Sequence, residues 1–204
     1  SFQIADLDRT PMQKVQIDYT GLEKFSIDFI TENRDLLELL ELMDGQMLDR
    51  AAVAVHSPLD DIKLWENLSI DVLGPAVYRR YQVPLYRKIM GLLSESGKRL
   101  HVHYDGKLAM IREDIAEIGF GGIDSFCYGP EGDVSFPDAQ RSWKQAFLWV
   151  HPSMSWFTDN PDDILKKIRE VTGAAESPRY CFIISEDVPA YAERNITAIL
   201  EELA

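Results

Sequence analysis

The stretch GKRLHVHYDGKLAMIREDIAEIG, residues 97–119, decides the predicted fold because the spacing of its apolar residues changes partway along it. Its first part, RLHVHY, is an apolar run after a glycine turn and predicts a strand. Its second part, KLAMIREDIAEI, has the spacing of an amphipathic helix that ends at Gly119. A strand followed directly by a helix is the repeating unit of α/β proteins.

The same alternation continues along the whole chain. Strands are predicted at KVQIDY (14–19), DDIKLW (60–65), GKRLHVHY (97–104), GGIDSFCY (121–128), AFLWVH (146–151) and PRYCFIIS (178–185), each followed by a helical pattern. Several of these strands are continuous apolar runs, which is typical of strands buried on both faces in parallel sheets. No linker or internal repeat interrupts the pattern, so residues 1–204 are expected to form a single domain.

Polar residues at the ends of the predicted strands favour a barrel over an open nucleotide-binding sheet. The first predicted strand is followed by TGLEKF, which has a single glycine where an open sheet would have a glycine-rich loop. Chemistry collected from the C-terminal ends of several strands is typical of the TIM barrel. We therefore expect a partial TIM (β/α)8-type barrel of about six parallel βα units, in which two units of the full barrel are absent or the barrel is unusual.

Charge and composition exclude several classes of partner. The chain has 204 residues, with 34 acidic against 21 basic side chains and a formal net charge of -13, which disfavours nucleic acid. We expect no signal peptide and no membrane span, because no basic leader and no long apolar run occurs. Cys127 and Cys181 lack the spacing of a metal or redox pair, which indicates a reducing cytoplasm.

Four residues at strand ends form the candidate site: Glu66, His103, Asp105 and Glu186. In a parallel barrel these ends converge, and one imidazole with several carboxylates suits zinc or another divalent ion. The same residues also suit a metal-free general acid–base pair. His151 is predicted either to line the cavity or to lie in a loop.

The chain resembles the C-terminal two-thirds of the uroporphyrinogen decarboxylase superfamily. The resemblance runs in order through residues 10–43, 62–89, 100–124 and 180–203. Its most specific part is IKLWENLSIDVLGPAVYRRYQVPLYRKI (62–89), which is similar to the family's acid-ended strand and its aromatic-rich helix with an internal proline. The motif HVHYDG (101–106) resembles the family's strand ending in His-x-Cys-Gly or His-x-Asp-Gly.

The resemblance begins near the third strand of the family's TIM barrel, which implies that the first two units are missing, and it assigns roles to single residues. In the methyltransferase branch of the family, Glu66 and His103 match two zinc ligands, while Asp105 and Glu186 stand where that branch has cysteines. Harder oxygen ligands in place of sulfur shift the preference towards other divalent ions or no metal. Asn67 stands where the decarboxylases have a substrate-contacting serine. Tyr19 is expected to bind substrate at the end of the first predicted strand, as is His151 at the end of the fifth.

The resemblance implies an enzyme that acts on a small molecule. The expected reaction is a metal-dependent methyl transfer that involves a thiol or a corrinoid (cobalamin-type) cofactor on a partner protein. The first alternative is a decarboxylase (lyase) of uroporphyrinogen type in porphyrin and haem biosynthesis, and the second is an inactive fragment or interaction module. A homodimer or larger assembly is expected because an incomplete barrel leaves sheet edges uncovered.

Overall fold

A computed structural model of the chain describes residues 3–184 and 188–203. In this part of the chain, one all-parallel sheet contains six strands in sequential order. The strands are β1 (Ile4–Asp6), β2 (Asp61–Leu64), β3 (Arg99–His103), β4 (Gly122–Phe126), β5 (Phe147–Val150) and β6 (Tyr180–Phe182). This architecture confirms the α/β prediction of about six parallel units and is consistent with a partial TIM-like barrel.

Helices follow every strand. They are α1 (Pro11–Lys14), α2 (Leu22–Ile30), α3 (Arg34–Val55), α4 (Ile70–Leu73), α5 (Pro75–Val77), α6 (Val83–Ser94), α7 (Arg112–Ile118), α8 (Phe136–Ser142), α9 (Pro161–Gly173) and α10 (Glu193–Leu203). Wider π-helical turns at Val15–Thr20 and Tyr78–Gln82 extend α1 and join α5 to α6. Shorter 3-10 turns occur at Ala109–Ile111, Met154–Thr158 and Ala190–Ala192. None of the helices described is long and apolar enough to cross a membrane.

The first predicted strand, residues 14–19, is wrong. Pro11 begins a helix there because its missing N–H is not needed in the first turn, and the π-helical turn Val15–Thr20 follows. Met12 and Val15, three residues apart, are buried in a small cluster with Phe25, Leu36 and Leu40. The first strand of the sheet is instead the three-residue β1.

The register of the sheet separates an apolar face from a polar one. Ile62, Leu64, Leu100 and Val102 belong to the main apolar core that the helices cover. Because successive side chains of a strand alternate, the residues between them lie on the opposite, inner face. On that face Lys63 aligns with His101, and His103 aligns with Asp124. A bulge between Ile123 and Phe126 then shifts the register of β4.

Candidate active site at the carboxyl ends of the strands

His103 is the last residue of β3 and lies between two carboxylates. Its Nδ1 is 3.0 Å from Oδ2 of Asp124 on the neighbouring strand. Its Nε2 is 3.8 Å from Oδ2 of Asp105, which belongs to the loop after the strand. The bond at Nδ1 fixes the orientation of the ring and leaves Nε2 towards Asp105 of the loop.

Lys63 and Trp65 complete the polar group on the inner face. The Lys63 Nζ donates to Asp124 Oδ2 over 3.0 Å and lies 3.6 Å from the centre of the Trp65 ring. The Trp65 ring is 5.2 Å from the His103 ring and its side chain is partly exposed. Two cations and two carboxylates therefore alternate along this end of the sheet, beside an aromatic surface.

The two carboxylates favour the charged form of His103. Burial alone would lower the pKa of His103, but the contacts with Asp105 and Asp124 outweigh it and raise the pKa to about 9. Burial acts in the opposite sense on Asp124, where hydrogen bonds from His103 and Lys63 prevail and lower the pKa. At neutral pH the site therefore holds an imidazolium ion and a carboxylate in contact.

The loop that carries Asp105 is held against the next βα connection. Lys107 N donates to Ser69 Oγ over 3.1 Å, and Ile70 N donates to the Lys107 carbonyl over 2.9 Å. A Cβ on Gly106 would lie 2.8 Å from Ser69 Cα, so only glycine allows the two loops to approach this closely. The half-exposed Asp105 is thereby placed beside His103.

Glu66 is not part of this group, which corrects the predicted set of four. Its side chain is fully buried, and its Oε1 accepts a hydrogen bond from Thr10 N over 3.1 Å. Burial raises the pKa of Glu66 to about 7, with opposing contributions from Thr10, Tyr86 and Arg9. The side chain of Glu66 lies instead near Tyr86 of α6.

The contacts described for His103 do not include the remaining predicted residues, and one of these residues lies outside the described ranges. Tyr19 is 62% exposed on the π-helical turn, so it does not end a strand as predicted. Asn67 is exposed, and its carbonyl accepts from Gln13. His151 follows β5, is half-buried, and donates its backbone N–H to the Phe126 carbonyl. Glu186 lies outside the described residues.

The predicted metal centre is not assembled by the residues that the structure describes. Among them, no group of three or more histidine, cysteine or acidic side chains is arranged to hold an ion. His103 Nε2 and Asp105 supply two donors, whereas zinc sites use at least three protein ligands. The described residues therefore supply two of the four predicted donors next to each other, and Glu186 lies outside them, so the metal site stays a prediction.

Sequence reasoning missed Lys63 and Trp65 as members of the site. A signal was present, since Lys63 is a charged residue in the middle of the short buried strand DIKL. A buried lysine needs a carboxylate partner, and Asp124, in the middle of β4, provides it. Their pairing depends on the sheet register, which the sequence does not specify.

Comparison with known proteins shows that the fold is similar to that of a solved structure. No protein-family model and no curated protein sequence matches the chain. Among solved structures, a methyltransferase from Methanosarcina mazei is similar, with a TM-score of 0.70 and 19% sequence identity. The match covers 98% of this chain and 59% of that structure. The chain thus has the fold of a large part of that methyltransferase.

Proposed function

We propose that this chain belongs to a barrel enzyme that transfers a methyl group to a thiol, and that His103 stabilises the thiolate form of the acceptor. The observation that carries the proposal is the placement of His103 at the carboxyl end of β3, fixed through Nδ1 by Asp124 with Nε2 towards Asp105 of the following loop. The fold shared with the methyltransferase and the resemblance in sequence support the choice of reaction.

The chemistry requires a cation beside the sulfur atom. The thiolate is the nucleophilic form of a thiol, and a neighbouring imidazolium lowers the thiol pKa. The thiol proton passes to water. The sulfur–carbon bond then forms while the bond between the methyl carbon and the donor breaks, and the electron pair of that bond leaves with the donor. A methylated corrinoid on a partner protein is the donor class we propose.

Asp124 and Lys63 act on this step through His103. Asp124 holds the imidazole in one orientation and favours its protonated form, and Lys63 holds Asp124. Trp65, exposed beside His103, offers a flat surface against which a substrate can pack. No step here uses a metal ion; a divalent ion completed by Glu186 stays a separate prediction.

The first test follows the loss of the methyl group from methylcobalamin in the presence of 2-mercaptoethanesulfonate, by absorbance and without oxygen. We expect the chain to accelerate the reaction and the substitution His103→Gln to slow it by at least about tenfold, because the thiolate loses its counter-ion. His56→Gln, which changes an exposed histidine at the end of α3, is the matched control and should leave the rate unchanged.

Four outcomes would contradict the proposal. If the reaction were no faster with the chain than without it, the alternative of an inactive fragment or interaction module would be favoured. Equal rates for the chain and for His103→Gln would remove His103 from the reaction, and loss of activity with a chelator would favour the metal-dependent prediction. Release of carbon dioxide from uroporphyrinogen, without methyl transfer, would favour the decarboxylase.

A further inference from the structure

A cavity lies at the end of the sheet where the strands begin, opposite the end that carries His103. Its volume is about 570 Å³, which is within the range of small-molecule sites. Arg99 and Phe147, which line it, are the first residues of β3 and β5, and Arg179 comes just before β6. The cavity is therefore separate from the group around His103, and nothing in the proposed methyl transfer uses it.

Aromatic rings form one wall of this cavity. The rings of Phe147 and Trp149 are 5.0 Å apart, and that of Trp149 is 5.1 Å from His101. A Cβ on Gly122 would lie 2.5 Å from the Trp149 ring and would also overlap His101. Glycine at this position therefore makes room for the two rings, whose planes are tilted by 59° to each other and which both line the cavity.

The charge of the lining is opposite to that of the chain. None of the described residues that line the cavity is acidic, although the chain has 34 acidic residues. Lys98 donates its Nζ to two backbone carbonyls, and Arg99 binds Asp61 through two bonds of 2.8 Å. Arg179 is exposed, and its Nη1 donates a long hydrogen bond of 3.4 Å to the Gln145 carbonyl. Its positive charge lies at the rim and is not balanced by a carboxylate among the described lining residues.

We propose that this cavity binds a planar organic anion, with its ring against Phe147 and Trp149 and its carboxylate or sulfonate at Arg179. An aromatic wall beside a guanidinium group matches both parts of such a molecule. Arg99 presents its remaining N–H groups to the same space, since its bonds to Asp61 use only Nε and Nη2.

The test uses 1-naphthoate as the probe and measures its binding to the full chain by titration calorimetry. We expect one site, and binding at least about tenfold weaker for Arg179→Gln and for Gln145→Glu, which adds a negative charge at the rim. Both residues are exposed, so both variants should fold. Arg87→Gln, which changes an exposed arginine on α6, should bind as the unchanged chain does, and so should His103→Gln.

The neutral analogue 1-naphthamide shows how much of the affinity depends on the negative charge of the probe and how much on apolar contact. We expect it to bind more weakly than the carboxylate. The proposal would be overturned by absence of naphthoate binding up to about millimolar concentration, by equal affinity for the two probes, or by unchanged affinity in Arg179→Gln.

Discussion

Glu66 shows how the direction of one side chain separates a candidate ligand from a structural group. It follows Trp65 in the sequence, yet Trp65 lies beside His103 whereas Glu66 is enclosed near Tyr86 of α6. The Glu66 Oε2 and the Tyr86 hydroxyl are both buried without a hydrogen bond in the described part of the chain. A carboxyl group in this setting is stabilised in its neutral form.

The pKa of Glu66 makes stability depend on pH. Because the pKa of about 7 in the folded chain exceeds the ordinary value of 4.5, this group stabilises the fold below about pH 4.5 and loses that effect as the pH rises through 7. Glu66→Gln should therefore gain stability relative to the unchanged chain between about pH 5 and pH 8, by roughly 3 kcal/mol at most. Urea unfolding at both pH values measures the difference.

Glu38→Gln is the control for that experiment. Glu38 lies on the exposed side of α3 and pairs only with Arg34, so its replacement should give nearly the same difference in unfolding free energy at both pH values. If Glu66→Gln behaved in the same way, the buried carboxyl would not be coupled to folding.

At the scale of the element, the π-helical turn after α1 explains the one strand that was predicted wrongly. Val15, Ile17 and Tyr19 alternate as in a strand, but only Val15 is buried, and Ile17 and Tyr19 are more than half exposed. The alternation of apolar residues therefore does not reflect a strand here. The proline at position 11 and the three-residue spacing of Met12 and Val15 are the features that indicate a helix. β1 was missed because three residues are too few to show a period.

The start of α3 was predictable from its capping residue. Asn33 directly precedes the helix, and its Oδ1 accepts from Asp35 N and Leu36 N at 3.0 and 3.4 Å. Asn33→Ala should lower the free energy of unfolding by about 1 kcal/mol, because two N–H groups lose their acceptor. Denaturant unfolding measures the change.

Asn67→Ala is the matched control for this prediction. Asn67 is exposed, and the bond described for it uses its carbonyl, which alanine keeps. A loss of stability as large as that of Asn33→Ala would show that the effect does not come from the cap.

At the scale of the molecule, five strands and the parallel class of the sheet were predictable because each buried strand is an apolar run next to a helical pattern. The candidate site was predictable only in part. His103 and Asp105 were found from a short motif, whereas Lys63 and Asp124 meet across strands that are 61 residues apart in sequence. Contacts of this kind follow from register, and register emerges only when the sheet forms.

The expected self-association remains a prediction for the whole molecule. β1 and β6 stand at the two ends of the sheet order, so each has one edge unpaired within the described residues. Exposed strand edges favour pairing with another chain. We expect light scattering at about 10 µM to give the mass of a dimer or a larger assembly, and a monomer mass at that concentration would contradict this prediction.

His101 and His103 lie on the same face of β3, two residues apart, and each has an aspartate partner and a tryptophan ring beside it. Burial lowers the pKa of His101 despite Asp61, whereas the pKa of His103 is raised. The two rings thus share one strand but differ in their surroundings: His103 lies between two carboxylates, whereas His101 is more deeply buried and has the Arg99 guanidinium nearby. A nuclear magnetic resonance titration of the two rings would check that their pKa values move in opposite directions within one molecule.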